Sequence, residues 1–449
     1  MKTNSKKEQG SIIEERLRKI PLNKLSRQSG FIKRKPKKIK PKEFILSFIQ
    51  TVSSSKNTYS KWANQLGILI NDTVSKQAIS KKIKEPLVIL FQLILKRIFE
   101  ETIESKSKEK VSKELKQFKR IIIEDSTNIK LNNKLHKEYP GNRDSLALMK
   151  IQSIYEVLQR KFIRFELTSY RKNDQGYSPS ILDVAKPGDL IIRDLGYFVL
   201  RVFKKLTERG IYYISKLRKE VIIYTKEEKL IDLAVMLKKR GSLDLEVFVG
   251  EKDKLPARLV AMPVNEIVAG ERRRKLKAKL DKRLNPSKKH LFLLGWDIFI
   301  TNIEKEKIES NQISMIYGIR WRIEIIYKSW KSHLRITNLP NDGNKIRLEA
   351  FIYCMLIFIL IFQVDFYQYY LQKIKILSTD QQKRAYNSEI SLLKLTQYLV
   401  NNISFIIYLD HFNDNLIMYE LLDKQILYYC IYENRKDRLN YNQLIKKLG

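Results

Sequence analysis

The chain reads as an α/β protein whose mixed core is flanked by helical regions on both sides. Three observations predict this. Apolar residues recur at helical spacing from Lys42 to about Glu101, and at Phe118 the pattern changes to β-branched runs. From Phe118 to Arg218 strand-like and helix-like segments follow one another in a mixed order. Far downstream, Tyr317–Lys331 reads as one helix with an apolar face and a separate, narrow polar stripe.

At 449 residues the chain can bury more than one core, and its 43% hydrophobic content is ordinary for a globular protein. Its charge is not: 87 Lys and Arg stand against 49 Asp and Glu, a formal +38. That surplus implies a polyanionic partner. The abundance of Ile, Lys and Asn together suggests AT-rich coding, which discounts the magnitude but not the sign. Two cysteines, Cys354 and Cys430, provide no disulfide framework and fit a reducing compartment. His136, His290, His333 and His411 lack ligand spacing, so no zinc site is expected. The basic N-terminus has no signal-peptide core. Ala350–Val364 is almost wholly apolar, but it is shorter than the roughly 20 residues of a spanning helix. Gln363 and Asp365 close it, so it reads as a buried core helix and no membrane is expected.

In chain order, residues 1–41 form a Lys-rich arm, expected to be disordered alone, either contacting phosphates or simply solvated. Residues 42–115 form a helical region that is a candidate DNA-binding domain. Its middle resembles a helix-turn-helix: Ala63, Leu66 and Ile68 face inward, and Ser75 caps a second helix bearing Lys76, Gln77, Ser80, Lys81 and Lys82.

Residues 116–345 form the α/β domain. Ile121–Ile123 is a strand followed by Glu124 and Asp125. LMKIQSIYEVLQ and KFIRFELTSY are two more strands, and SPSILDVAK is a short helix. After a Pro187-Gly188 turn, DLIIRDLGYF is a fourth strand with Asp194 at its end. A helix over about 197–208 and the strand IYYISKLR complete the series. Three strands, helix, strand, helix, strand is the order of a ribonuclease H-like (retroviral integrase-like) core. Residues of about 219–294 interrupt it with four strand-like runs, EVIIYT, LDLEVFVG, ARLVAMPV and HLFLLGW, and a basic segment, ERRRKLKAKLDKR. Residues 346–449 read as a C-terminal helical region.

At about 100° per residue, Tyr317, Arg320, Glu324, Lys328 and Lys331 fall within an arc of roughly 80°. Ile316, Ile319, Ile323, Ile326 and Trp330 form the apolar arc. The plain reading is an amphipathic surface helix with paired charges. The spacing Tyr-x2-Arg-x3-Glu-x6-Lys, however, resembles the signature of bacterial insertion-sequence cut-and-paste transposases with a DDE active site. The family pattern calls for two aspartates at strand ends upstream. Asp194, in Asp-Leu-Gly-Tyr-Phe, resembles the second. Adjacent strand residues point to opposite faces, so only one of Glu124 and Asp125 can serve as the first. The resemblance of Asp-Ser-Thr favours Asp125. WDIFITNI resembles the strand before the signature helix, and the segment before it resembles the family's β-rich insertion.

The resemblance implies a DNA transposase. Asp125, Asp194 and Glu324 would be catalytic and hold two Mg²⁺ ions, for which Mn²⁺ can substitute. One ion would activate water and the other would stabilise the departing 3′ oxygen. Arg320, Lys328 and Lys331 would contact DNA, with Tyr317 donating to a phosphate oxygen. Trp296 is either a core aromatic or a stacking platform for a flipped base. Partners would be double-stranded DNA, as element ends and target, and a second copy of the chain. Cleavage would pass through hairpin ends, in the bacterial cytoplasm at the nucleoid. The alternatives are a non-catalytic DNA-binding derivative and a ribonuclease H-like nuclease.

Overall fold

The computed structural model describes residues 12–54, 57–102, 114–280, 285–340, 342–379, 390–412 and 416–431. It begins with six helices: α1 (Ile12–Lys19), α2 (Leu22–Gln28), α3 (Pro41–Val52), α4 (Tyr59–Ile70), α5 (Lys76–Lys82) and α6 (Glu85–Thr102). The expected disordered arm does not hold for residues 12–28. Ile13, Leu17, Leu22 and Leu25 are buried, and Arg16 forms a two-pronged pair with Asp365 at 2.7 Å for both bonds. Apolar residues at helical spacing within the Lys-rich run bury this segment despite its charge. Residues 1–11 of the arm lie outside the described residues.

Helices α4 and α5 have the caps a helix-turn-helix needs. Thr58 accepts from the Lys61 amide, Asn71 closes α4 at φ 52°, and Ser75 accepts from the Ala78 amide. Ala63 and Leu66 are buried as expected, whereas Ile68 is 45% exposed. Trp62 instead anchors α4, stacked on Phe48 at 3.8 Å between ring centroids.

The α/β part is one nine-stranded sheet: β1 (Ile121–Lys130), β2 (Leu148–Glu156), β3 (Lys161–Ser169), β4 (Leu190–Arg193), β5 (Tyr212–Lys216), β6 (Ile223–Tyr224), β7 (Leu243–Val249), β8 (Leu255–Pro263) and β9 (Trp296–Thr301). Its order is β3-β2-β1-β4-β5-β9-β8-β7-β6. β1, β4 and β5 run parallel and the other pairings are antiparallel. The first five strands have the ribonuclease H-like arrangement that the element order predicts.

Between strands lie α7 (Asp174–Tyr177), α8 (Leu200–Glu208), α9 (Leu233–Arg240), α10 (Glu266–Lys279) and α11 (Lys288–Leu293). One reading of residues 219–294 changes, and a second segment gains its structure. HLFLLGW is not a strand: Ser287 caps α11 through the His290 amide, and the strand begins only at Trp296. The basic segment is helical from Glu271 to Lys279, in α10. β6, β7 and β8 continue the same sheet through β9.

Alternation along the strands sorts side chains to two faces. Ile121, Ile123, Leu190, Ile192, Ile214 and Phe299 lie on a first face, in the larger core. Ile122, Ile191, Tyr213 and Ile300 lie on the second, packed with Val202, Phe203 and Leu206 of α8. The first face is covered by α12 (Ser310–Gly318) and α13 (Trp321–Ser332). Behind them come α14 (Lys345–Phe358), a π-helical turn over Ile359–Asp365, α15 (Phe366–Thr379), α16 (Leu392–Phe412) and α17 (Leu416–Tyr429).

The helical run Lys345–Ile374 is long and apolar enough to cross a membrane, but 83% of its most apolar window is buried inside the protein. Gln363, in the π-helical turn, accepts from the Trp330 indole at 3.0 Å and donates to the hydroxyls of Ser329 at 2.6 Å and Thr396 at 2.7 Å. This buried network fastens α13 to the C-terminal helices.

Candidate active site

Two strands and one helix bring three carboxylates to one place. Asp125 was expected at a strand end, but β1 runs on to Lys130 by pairing with β2. What ends is the pairing of β1 with β4, whose last partners are Glu124 and Arg193. Asp125 is thus the first residue past the parallel ladder, on the first face. Asp194 directly follows Arg193 and caps the next turn, accepting from the Gly196 amide. A Cβ at Gly196 would meet the Asp174 carboxylate at 2.9 Å, so a larger residue here would push Asp174 aside. Glu324 stands in the first turn of α13.

Tyr317–Lys331 is not one continuous helix. Gly318 ends α12, and α13 begins at Trp321. Bonds of three-residue span bridge the break: Ile319 N–H to Ile316 O at 3.1 Å and Arg320 N–H to Tyr317 O at 3.0 Å. The apolar arc is unaffected, and Ile316, Ile319, Ile323, Ile326 and Trp330 are all buried. The polar stripe divides. Arg320 and Glu324 face the strand ends, while Lys328 and Lys331 are exposed further along α13. Tyr317 is 8% exposed and donates to the Arg193 carbonyl at 3.3 Å. Its phenol therefore does not reach outward to a phosphate, as the stripe suggested. The ring lies beneath Arg320, 5.8 Å from the guanidinium.

Arg320 is the hub. Its guanidinium is 2.6 Å from Glu324 Oε1, 3.4 Å from Asp125 Oδ2 and 4.0 Å from Asp194 Oδ1. Burial pushes the Asp125 carboxyl up to about 7, and the charges of Asp194 and Glu324 push the same way, while the Ser126 amide and Arg320 pull it down. An acid so poorly stabilised as an anion gains strongly from a nearby cation. Among the described residues, no cluster of three or more acidic, His or Cys side chains stands ready to hold a metal ion. The three carboxylates nevertheless converge on one cationic group and are hard oxygen donors, so their chemistry fits Mg²⁺ or Mn²⁺ once Arg320 yields its contacts.

Glu124 lies on the second face, completely buried. It pairs with Arg193 at 3.0 Å, and Arg193 also donates to Ser178 O at 3.0 Å and Ser178 Oγ at 2.9 Å. Burial raises the Glu124 carboxyl and the guanidinium opposes the rise. Neighbours in sequence are thus a core ion pair and a cleft acid. Trp296 is likewise on the second face, half-buried beside Phe292 at 6.0 Å between ring centroids. The fold does not bring it together with the carboxylates, which lie on the first face and on α13 covering it.

Sequence reasoning missed three groups. Tyr327 donates to the Asp125 carbonyl at 2.8 Å, joining α13 to β1. Lys216 follows Ile214 on the first face, one strand from Asp194, with its ammonium 5.6 Å from the Tyr317 ring. Asp297 stands 3.5 Å from Lys216 and accepts from Ser314 at 3.3 Å. Alternation in Ile-Tyr-Tyr-Ile-Ser-Lys carried a signal for Lys216, but only the register of β4 with β5 turns it into proximity.

Residues 116–359 match the family described as Transposase DDE domain. The chain is 29% identical over 364 residues to the transposase for insertion sequence element IS231B of Bacillus thuringiensis subsp. berliner, covering 76% of each chain. It is 29% identical over 362 residues to that of IS231E of Bacillus thuringiensis subsp. finitimus, covering 75% of each. With the transposase for IS1151 of Clostridium perfringens the identity is 28% over 355 residues, 74% of each.

Proposed function

Because the chain belongs to the DDE transposase family of insertion sequences, we propose that it excises an element by cutting at its ends and joins the resulting 3′-hydroxyls to target DNA. Asp125, Asp194 and Glu324 are the proposed metal ligands, with two Mg²⁺ ions as the expected complement. The chemistry such ions supply is Lewis-acid stabilisation of the attacking and departing oxygens of an in-line displacement. Arg320 hands its carboxylate contacts over and takes a phosphate oxygen pair beside the scissile bond, a role its planar fork suits. Lys328 and Lys331, exposed on α13, hold backbone phosphates further along. Tyr317 supports Arg320 from below. The observation that carries this reading is the convergence of three carboxylates from β1, the end of β4 and α13 on one guanidinium, inside the family-matched segment.

The remaining assignments follow from the same reading. α5 exposes Lys76, Gln77, Ser80 and Lys81 behind a capped turn, which supports DNA reading by residues 42–115. The described C-terminal helices buttress α13 through Gln363 and Thr396. Two ends held together call for a homodimer; hairpin ends call for the freed 3′-hydroxyl to attack the opposite strand by transesterification and for water to reopen the hairpin, restoring the 3′-hydroxyl before strand transfer. DNA as substrate places the chain in the bacterial cytoplasm with the nucleoid.

The test uses the full chain and a labelled duplex carrying an element end. Wild type should nick with Mg²⁺, stop with EDTA, and transfer a precleaved 3′-hydroxyl to plasmid. Asp194→Ala and Glu324→Ala should lose nicking yet bind the duplex nearly as well, since the basic surface is intact. Binding without any metal-dependent nicking by wild type would defeat the reading.

A further inference from the structure

Helix α10 is the most basic helix of the segment between β5 and β9. It carries Arg272, Arg273, Arg274, Lys275, Lys277 and Lys279 against Glu266 and Glu271. Its cations divide by direction. Arg272 donates to Asp297 at 2.8 Å and to the Trp296 carbonyl at 3.2 Å, and Arg273 donates to the Leu291 carbonyl at 3.2 Å. These two clasp the helix to the sheet and to α11. Arg274, Lys275, Lys277 and Lys279 are exposed. Among the described residues Lys275 alone of these four has an ion pair, with Glu271 at 3.8 Å. Ordinary solvation explains an exposed cation, but it does not explain where this helix is anchored.

The anchor is Asp297, and it leads to the cleft. Asp297 lies on the first face, and its Oδ1 is shared by Arg272 at 2.8 Å and Lys216 at 3.5 Å. The Lys216 ammonium lies 5.6 Å from the Tyr317 ring, and that ring lies 5.8 Å from the Arg320 guanidinium. Lys216 and Arg272 thus stand between the Arg320 cleft and α10, whose exposed Arg274 and Lys277 lie on the side of the helix away from Asp297. Fourteen helical residues extend about 21 Å, the length of roughly six phosphates of one DNA strand.

We propose that Lys216 and the outer side of α10 form a phosphate track that receives the DNA backbone flanking the scissile position. This rests on the transposase reading and adds a surface to it. Lys216 takes the phosphates next to the cleft, and Arg274 and Lys277 take those beyond. Asp297 holds Lys216 and α10 in line and meets no DNA itself. Contacts of this kind position the duplex without reading its bases.

Full-length wild type, Arg274→Gln/Lys277→Gln and Arg274→Glu/Lys277→Glu are compared on the labelled duplex end. Anisotropy is recorded from 50 to 300 mM salt, with hydroxyl-radical footprints and melting curves alongside. Losing two phosphate contacts should reduce the slope of log affinity against log salt by about 1.8 and weaken binding more than tenfold near 0.1 M salt. The footprint should shorten on one side of the scissile position, melting should stay put, and charge reversal should exceed neutralisation. Duplexes truncated on the element side or the donor side identify which flank lies on α10, because only shortening the tracked flank erases the difference between wild type and variant. A wild-type slope and footprint in both variants would overturn the track while leaving wild-type cleavage, and with it the transposase reading, intact. Wild type that neither binds nor nicks the end would take both down.

Discussion

Glu124 and Asp125 are adjacent acids on opposite faces, and the structure gives them opposite mutational signatures. Glu124→Ala strands the Arg193 guanidinium, whose side chain is 2% exposed. Removing one partner of a buried ion pair costs about 3–5 kcal/mol. Arg193 keeps two bonds to Ser178, so the low end, about 3 kcal/mol, applies. At about 2–4 °C per kcal/mol for a domain of this size, melting should fall by roughly 6–12 °C. Asp125→Ala removes a carboxyl that burial already disfavours as an anion, with Arg320 no nearer than 3.4 Å. Arg320 keeps Glu324 at 2.6 Å, so Asp125→Ala should lower the melting point less than Glu124→Ala does, and abolish nicking. Melting by scanning fluorimetry and nicking of a labelled duplex at 20 °C, well below either transition, separate the two. Glu124→Gln keeps a hydrogen-bond acceptor and should nick. A dead but stable Glu124→Gln beside an active Asp125→Ala would mean that Glu124 is the ligand and that the face assignment is wrong.

Two further outcomes follow. Arg320→Ala leaves three carboxylates facing one another without their cation, so the metal-free protein should melt lower, and Mg²⁺ or Ca²⁺ should raise its melting point more than that of wild type, by mass action on the freed oxygens. An equal metal-induced shift in both proteins would show that Arg320 does not compete for the site. Trp296→Ala should lose melting stability and slow first nicking and hairpin formation alike, because the ring packs on the face away from the carboxylates; a time course in which hairpin formation alone collapses would restore a base-stacking role.

Much of the core was legible because strands and helices carry their own periodicity. Ile121–Ile123, Leu190–Ile192 and the apolar arc from Ile316 to Trp330 declare what they bury, and each is buried. The cap at Ser75 was legible for the same reason: it is a local bond between residues three apart. The signature spacing identified Arg320 and Glu324, since four residues apart on a helix is a local distance. Short apolar runs were ambiguous, and HLFLLGW became a helix because Ser287 caps it. Burial of Ile13, Leu17, Leu22 and Leu25 was obscured by the surrounding lysines and arginines, although Arg16 finds Asp365, 349 residues away.

Other features exist only after folding. The face on which Asp125 lies depends on alternation, but its place at the mouth depends on where pairing with β4 stops. The helix tightens to three-residue-span bonds at Ile319 and Arg320, and Tyr317 spends its hydroxyl on the Arg193 carbonyl rather than outward. The register of β4, β5 and β9 sets Lys216 and Asp297 beside the cleft and puts Trp296 on the other face. The physical reason is range: hydrophobic period and capping act within a few residues, whereas strand register and the docking of α13 through Gln363 are fixed by contacts between residues far apart in the chain.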